Sequence, residues 1–173
     1  MSLEGKEGEM AESLAVVVGF LLVSFLAGVI GSAFTRRAIP EWYVKLNKPT
    51  WTPPNWVFGP VWSALYLMMG LAAWLVWRKV GWAGATTALA LFGAQLALNA
   101  LWSVLFFGMR SPGAGVAGIA VLWVMIVVTL VVFWGITPAA GALLLPYLAW
   151  VTFAAGLNWA VWRMNRPAPA GQG

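Results

Sequence analysis

The stretch Trp42-Tyr43-Val44-Lys45-Leu46-Asn47-Lys48-Pro49-Thr50-Trp51-Thr52-Pro53-Pro54-Asn55-Trp56-Val57-Phe58-Gly59-Pro60-Val61-Trp62 sets the register for the whole chain. Proline fixes φ, removes a hydrogen-bond donor and pushes the residue before it out of the helical region. Lys48-Pro49 and Thr52-Pro53-Pro54 therefore predict a stiff extended loop. Aromatic rings with polar edges favour the boundary between membrane and water. Trp42, Tyr43, Trp51 and Trp56 put several such rings in one short segment. A rigid aromatic loop at the mouth of a helical bundle reads as a lid.

On both sides of that segment the sequence is apolar. The 173 residues are 62% hydrophobic and 9% charged, with a mean hydropathy of +0.84. Soluble domains do not have this composition, so an all-α integral membrane protein is expected. At ~20 residues per crossing there is room for one domain of about five spans. The apolar runs place these at 14–34, 56–77, 85–107, 114–134 and 139–162, forming a bundle over 14–165. Residues 35–55 form the lid loop, with a short helical turn after Pro40 where Glu41 suits a helix start. Residues 1–13 read as an acidic tail and 166–173 as a disordered one. A cleaved leader requires a basic start, so the first apolar run is expected to be a retained helix.

Charge sets orientation. Lys6, Arg78 and Lys79 fall on one side of the five-span bundle. Arg36, Arg37, Lys45, Lys48, Arg110, Arg163 and Arg166 fall on the other. The excess of positive charge predicts a cytoplasmic loop and C-terminus. The net charge of +5 suits anionic lipid headgroups better than nucleic acid. Without cysteine there is no thiolate chemistry, and without histidine the commonest general base and metal ligand is missing. No ionisable Asp, Glu, Lys, Arg or His falls within the five spans, which argues against a proton-driven pump and against acid–base catalysis. No metal and no required cofactor are expected. The absence of an internal repeat weighs against an inverted-repeat transporter.

Inside the spans, the polar residues are neutral. Gln95, Asn99, Trp102 and Phe106 share one face of the third span, and Tyr147, Trp150, Ala154 and Asn158 share one face of the fifth. Two amides in a bilayer need partners. Two readings stand open: interhelical glue, or the polar patch of a ligand cavity. A tryptophan beside a small residue one turn on leaves room for a flat molecule against the indole. Ala90, Gly93, Ala94 and Ala97 form a small-residue seam that suits either a homodimer or close packing within one bundle. Gly28 and Ser32 read as ordinary close packing, and Trp74, Trp77, Trp82, Trp134 and Trp162 as interfacial anchors.

These motifs occur together in one known family. The loop quoted above, Gln95-Leu96-Ala97-Leu98-Asn99 with Trp102-Ser103 and Phe106-Phe107, and Pro146-Tyr147-Leu148-Ala149-Trp150 with Phe153-Ala154 through Leu157-Asn158 resemble the translocator protein family in order and spacing. These are the tryptophan-rich sensory proteins, once called peripheral-type benzodiazepine receptors. The resemblance implies a five-helix bundle, usually dimeric, with a pocket closed by the first loop. It also implies binding of porphyrins such as protoporphyrin IX and, in some members, of sterols or synthetic ligands. Carried over by motif, the pocket residues are Tyr43, Pro53, Trp62, Gln95, Asn99, Trp102, Phe106, Tyr147, Trp150 and Ala154. Trp62 and Trp150 match the tryptophans linked in bacterial relatives to light-dependent porphyrin breakdown. At the end of the fifth span, Trp162 stands where the animal sterol pattern has Tyr before the basic residue, here Arg163, so sterol binding is weakly supported.

The residues themselves agree with a porphyrin pocket. A flat macrocycle needs apolar walls, stacking indoles and a few orienting polar groups. Its carboxylates would meet Lys45, Lys48, Arg36 or Arg37 at the mouth. Haem lacks its usual axial ligands here, so metal-free porphyrin should bind at least as well. Binding and sensing ranks first, passive transport of the ligand second and indole-dependent degradation third.

Overall fold

The computed structural model describes residues 3–166, and the expected disordered tail beyond Arg166 lies outside them. Among the described residues the fold is all helical. Four helical segments are long and apolar enough to cross a membrane: α1 (Leu3–Glu41), α2 (Asn55–Ser103), α3 (Pro112–Ile136) and α4 (Pro138–Met164). Five separate helices were expected, and the difference lies in α2. Its 49 residues would span roughly 70 Å if straight, more than twice the hydrocarbon thickness. Gly81 breaks it with φ 66° and ψ −179°, an extended left-handed conformation open only to glycine. The connection expected between the spans ending at 77 and starting at 85 thus shrinks to one residue. In an unbroken helix Tyr66 and Asn99 would sit about 50 Å apart, yet the Tyr66 hydroxyl donates to Asn99 Oδ1 at 2.7 Å. The chain on either side of Gly81 therefore folds back as two antiparallel limbs.

The other boundaries shift for identifiable reasons. The described part of the acidic tail is helical, with Glu residues near a helix N-terminus where the dipole favours them. Trp74 Nε1 ties this extension to Ser13 Oγ at 3.1 Å. At its other end α1 runs past Arg36 and Arg37 to Glu41, carrying Pro40 in its last turn. The irregular loop is thereby shortened from 35–55 to 42–54, with a single 3₁₀ turn at Tyr43–Lys45. The second limb of α2 does not reach 107 as an α-helix; it widens into a π-helical turn at Val104–Gly108. Arg110 follows in a left-handed conformation (φ 52°), and its guanidinium pairs with Glu41 at 2.6 Å across the end of α1. Pro112 and Pro138 open α3 and α4, where a missing N–H is harmless. Ser111 Oγ caps α3 by accepting from Ala114 N.

The core is solid around Gly81. Met69, Ala72, Ala73, Val76, Ala85, Ile126, Phe133 and Leu144 are all fully buried there. A side-chain carbon on Gly70 would lie 3.1 Å from Leu21 Cα, so α1 and the first limb of α2 touch backbone to backbone. Toward the loop the same helices part, and the bundle is hollow.

Candidate functional site

The hollow end holds a cavity of about 400 Å³ enclosed by α1, both limbs of α2, the π-turn and α4. A bundle packed at native density leaves few voids of this size. The volume lies within the range of small-molecule sites.

Three indoles form its walls: Trp62, Trp102 and Trp150. Each is held by neighbouring rings. Trp62 stacks on Tyr66 at 5.6 Å and meets Tyr147 edge-on at 6.2 Å. Trp102 stacks on Phe106 at 5.7 Å, and its Nε1 donates to Asn158 Oδ1 at 3.1 Å. Asn158 Nδ2 in turn donates to Pro112 O at 2.9 Å, linking α4 to the start of α3. Trp150 sits between Phe58 and Phe153, and its Nε1 is buried without a partner. Rings fixed in this way present rigid faces to anything flat between them.

The buried polar floor is a short chain of hydrogen bonds. Tyr66 donates to Asn99 Oδ1, and Asn99 Nδ2 donates to Tyr147 Oη at 3.2 Å. One amide thus joins both limbs of α2 to α4. One turn deeper, Gln95 Nε2 reaches only Met69 Sδ at 3.7 Å, and its Oε1 has no partner.

At the loop end, Tyr43 is buried against Phe106 and Phe107. Burial pushes its hydroxyl above the ordinary tyrosine value of 10.0, so the group stays neutral at physiological pH. The backbone of Asn47 exchanges two hydrogen bonds with the side chain of Asn165: Asn47 N to Oδ1 at 3.0 Å and Nδ2 to Asn47 O at 2.9 Å. The loop is thereby stapled to the end of α4.

The TspO/MBR family model matches residues 20–163. The chain belongs to this family. Among its relatives, the tryptophan-rich protein TspO of Archaeoglobus fulgidus is 40% identical over 149 residues, covering 86% of this chain and 96% of the relative. The translocator protein of Bos taurus is 37% identical over 165 residues, covering 94% and 98%. The tryptophan-rich sensory protein of Cereibacter sphaeroides is 41% identical over 151 residues, covering 86% and 94%.

Within this TspO/MBR chain, the motif residues sort into three groups. Tyr43, Trp62, Asn99, Trp102, Phe106, Trp150 and Ala154 come together around the cavity, joined at its edge by Arg36. Gln95 and Tyr147 do not line it; both are fully buried behind the wall, and Tyr147 acts through Asn99. Asn99 both bonds across helices and lines the cavity, while Gln95 is core. Pro53 lies in the loop away from the cavity wall. Arg37 and Lys45 are exposed outside it.

Lys48 is a correction. Its ammonium donates to the carbonyls of Tyr43, Val44 and Leu46 at 2.8, 3.2 and 3.0 Å and lies 4.9 Å from the Tyr43 ring centre. Three N–H donors meet three acceptors, so this lysine braces the loop and has none left for a ligand carboxylate.

Sequence reasoning missed the contribution of α1. Phe25, Gly28, Val29, Gly31, Ser32 and Thr35 all line the cavity. Gly28 gives way to the Tyr66 ring, and Gly31 lies against Ser103. The small-residue pair at 28 and 32 was the available signal, and it fits helix packing and a cavity wall equally well. Tyr66 was not among the expected pocket residues; its partnership with Asn99 is a long-range contact with no local signature. Ala90, Gly93 and Ala97 turn outward, and a side-chain carbon on Gly93 would meet nothing. Ala94 is half-buried, so most of the seam, but not all of it, faces away from this bundle.

Proposed function

We propose that this membrane protein binds and senses porphyrins of the protoporphyrin IX type, and other flat lipophilic ligands, in the cavity at the loop end. The observation that carries the reading is the three-indole wall over a polar floor. Trp62, Trp102 and Trp150 offer stacking faces, and Asn99 with Tyr66 supplies polar groups to orient a macrocycle edge. Arg36, at the edge, is the cation left to meet a ligand carboxylate once Lys48 is accounted for. No cofactor is required, and the porphyrin is ligand rather than prosthetic group.

The architecture behind this reading is a five-span bundle, with the limbs of α2 counted as two crossings and the 42–54 segment as a lid. By the distribution of Lys and Arg, lid and C-terminus face the cytoplasm. The outward Ala90, Gly93 and Ala97 support a homodimer through the second limb of α2. Membrane lipids are the other partners. Sterol-like lipids are a weaker candidate than porphyrin.

A second reading, light- or oxygen-dependent porphyrin degradation, is favoured by one observation: Trp62 and Trp150 both line the same cavity. Passive transport of porphyrin or sterol-like ligands is the other rival, and flux in proteoliposomes would reveal it.

The test is quenching of tryptophan fluorescence by protoporphyrin IX, first in the dark. Saturable quenching that weakens by roughly tenfold in Trp150→Phe supports the binding reading. Absence of saturable quenching sinks it. Loss of porphyrin absorbance on illumination, abolished in Trp62→Phe/Trp150→Phe, would promote degradation from rival to function.

A further inference from the structure

We infer that the cavity is filled sideways from the bilayer, through a mouth between α1 and the first limb of α2, and not past the loop. The inference rests on the ligand-binding reading, and it adds the route and the physical state of the ligand.

The two helices touch where Gly28 meets the Tyr66 ring and where Gly70 meets Leu21. Beyond Gly28, toward the loop, α1 leaves the first limb and leans on the end of the second. Gly31 lies against Ser103, Phe34 against Gly108, and Trp42 against Phe106 at 5.6 Å. A wedge is left between α1 and the first limb. Its rims belong to both surfaces at once. Val29 lines the cavity and is 62% exposed. Asn55, Gly59 and Ser63 line it from the other side and are also exposed.

Depth decides what the mouth faces. Val29 lies seven residues below Arg36, and Ser63 eight below Asn55, which is about 10–12 Å along a helix. Arg36 and the exposed Trp56 mark the headgroup level. With a hydrocarbon core of about 30 Å, the inner part of the wedge opens onto lipid chains.

The loop side is the closed one. The Asn47–Asn165 pair and the Trp51–Phe153 contact at 5.7 Å hold the loop against α4, and the Lys48 brace stiffens it from within. The chemistry of the rims fits a membrane-dissolved amphiphile with an anionic end. Asn55, Gly59 and Ser63 recur every fourth residue as a small, polar rail, and Ser32 and Arg36 do so opposite. An apolar body enters at the level of Val29 and Ser63 while its carboxylate stays near Arg36.

The experiment uses the full chain in liposomes, with protoporphyrin IX preloaded in the bilayer. A side-chain carbon at Gly59 meets nothing within 4 Å, so Gly59→Trp narrows the mouth without crowding the fold. The expected result is a roughly tenfold slowing of both quenching onset and release. Asn165→Ala, which frees the loop, should leave both rates within about twofold. Unchanged rates in Gly59→Trp, or faster entry in Asn165→Ala, would overturn the lateral route.

A second measurement needs no ligand. The chain has no native cysteine, so Ser63→Cys takes a single nitroxide. Collisions with dissolved oxygen exceeding those with an aqueous nickel chelate are expected; the reverse preference refutes a lipid-facing mouth. Failure of saturable quenching in the wild-type chain would sink the porphyrin reading and leave the mouth to be decided by the spin label.

Discussion

The two ends of this bundle are built from the same helices and behave oppositely. Near Gly81 the interior is Ala72, Ala73, Val76, Ala85 and Ala88, with α1 pressed against Gly70. Near the loop it is Trp62, Trp102 and Trp150 around empty space. Small side chains on α2 let the helices approach closely at one end, and three indoles stand around a cavity at the other. Bulky rings cannot all point inward unless the helices separate, and once separated they stand apart as walls. Closing one end with alanine and glycine fixes the helix axes, so that the splay at the other end is held open.

Glycine substitutions probe that contrast with the largest expected effect. At the solid end, Gly70→Leu would drive a side chain into Leu21, whose Cδ2 lies 2.7 Å and whose backbone N lies 3.2 Å from the first added carbon. Overpacking against backbone predicts a loss of about 3 kcal/mol, read as a large drop in thermal midpoint in detergent. At the hollow end, Gly59→Ala meets nothing and should be neutral within about 0.5 kcal/mol. Equal losses at both positions would erase the distinction between the two ends.

The next effect concerns the polar floor. Asn99→Leu strands the Tyr66 hydroxyl and removes the donor to Tyr147. Hydrogen bonds between membrane helices contribute modestly, so a loss of about 1–2 kcal/mol is expected. Adding Tyr66→Phe should recover part of it, because an apolar pair leaves less unsatisfied than a widowed hydroxyl. If the double variant is no better than the single one, the Tyr66–Asn99 bond is not what holds the limbs together there.

Sequence and structure agree most where a pattern is local. The apolar runs fall on helices long and apolar enough to cross a membrane, and the stripes Asn99–Trp102–Phe106 and Trp150–Ala154–Asn158 landed on the cavity because helical periodicity alone determines a face. Local signals failed at the helix ends. Nothing in Arg36-Arg37 forbids a helix from continuing, and α1 runs on to Glu41. The single-residue turn at Gly81 lies in a seven-residue gap between apolar runs, where nothing local says that the rest stays helical. Lys48 was misread for a different reason: a lysine in a loop looks like a free cation until the fold brings three carbonyls around it. Gln95 and Tyr147 share faces with lining residues but sit too deep, a distinction that depends on where the helices part. No periodicity encodes that.

The smallest effects separate the tethers of the loop end. Lys48→Met removes three charge-assisted bonds at once, yet all three lie within the loop itself. Its consequence should be local: amide exchange across 44–52 faster by roughly tenfold, about 1.4 kcal/mol, with the global midpoint nearly unmoved. Glu41→Gln cuts the Arg110 pair, whose side chains are 62% and 51% exposed. An ion pair that wet is worth little, so any change should stay below about 0.5 kcal/mol and vanish in high salt. The Arg110 backbone, held left-handed at φ 52°, is the reason to measure it nonetheless. If Glu41 is what holds that conformation, Glu41→Gln will loosen the π-turn and with it Phe106, a wall of the cavity. Faster exchange at 104–110 would then exceed anything an exposed pair could cause by charge alone, and the hollow end would depend on a surface contact that the solid end does not need.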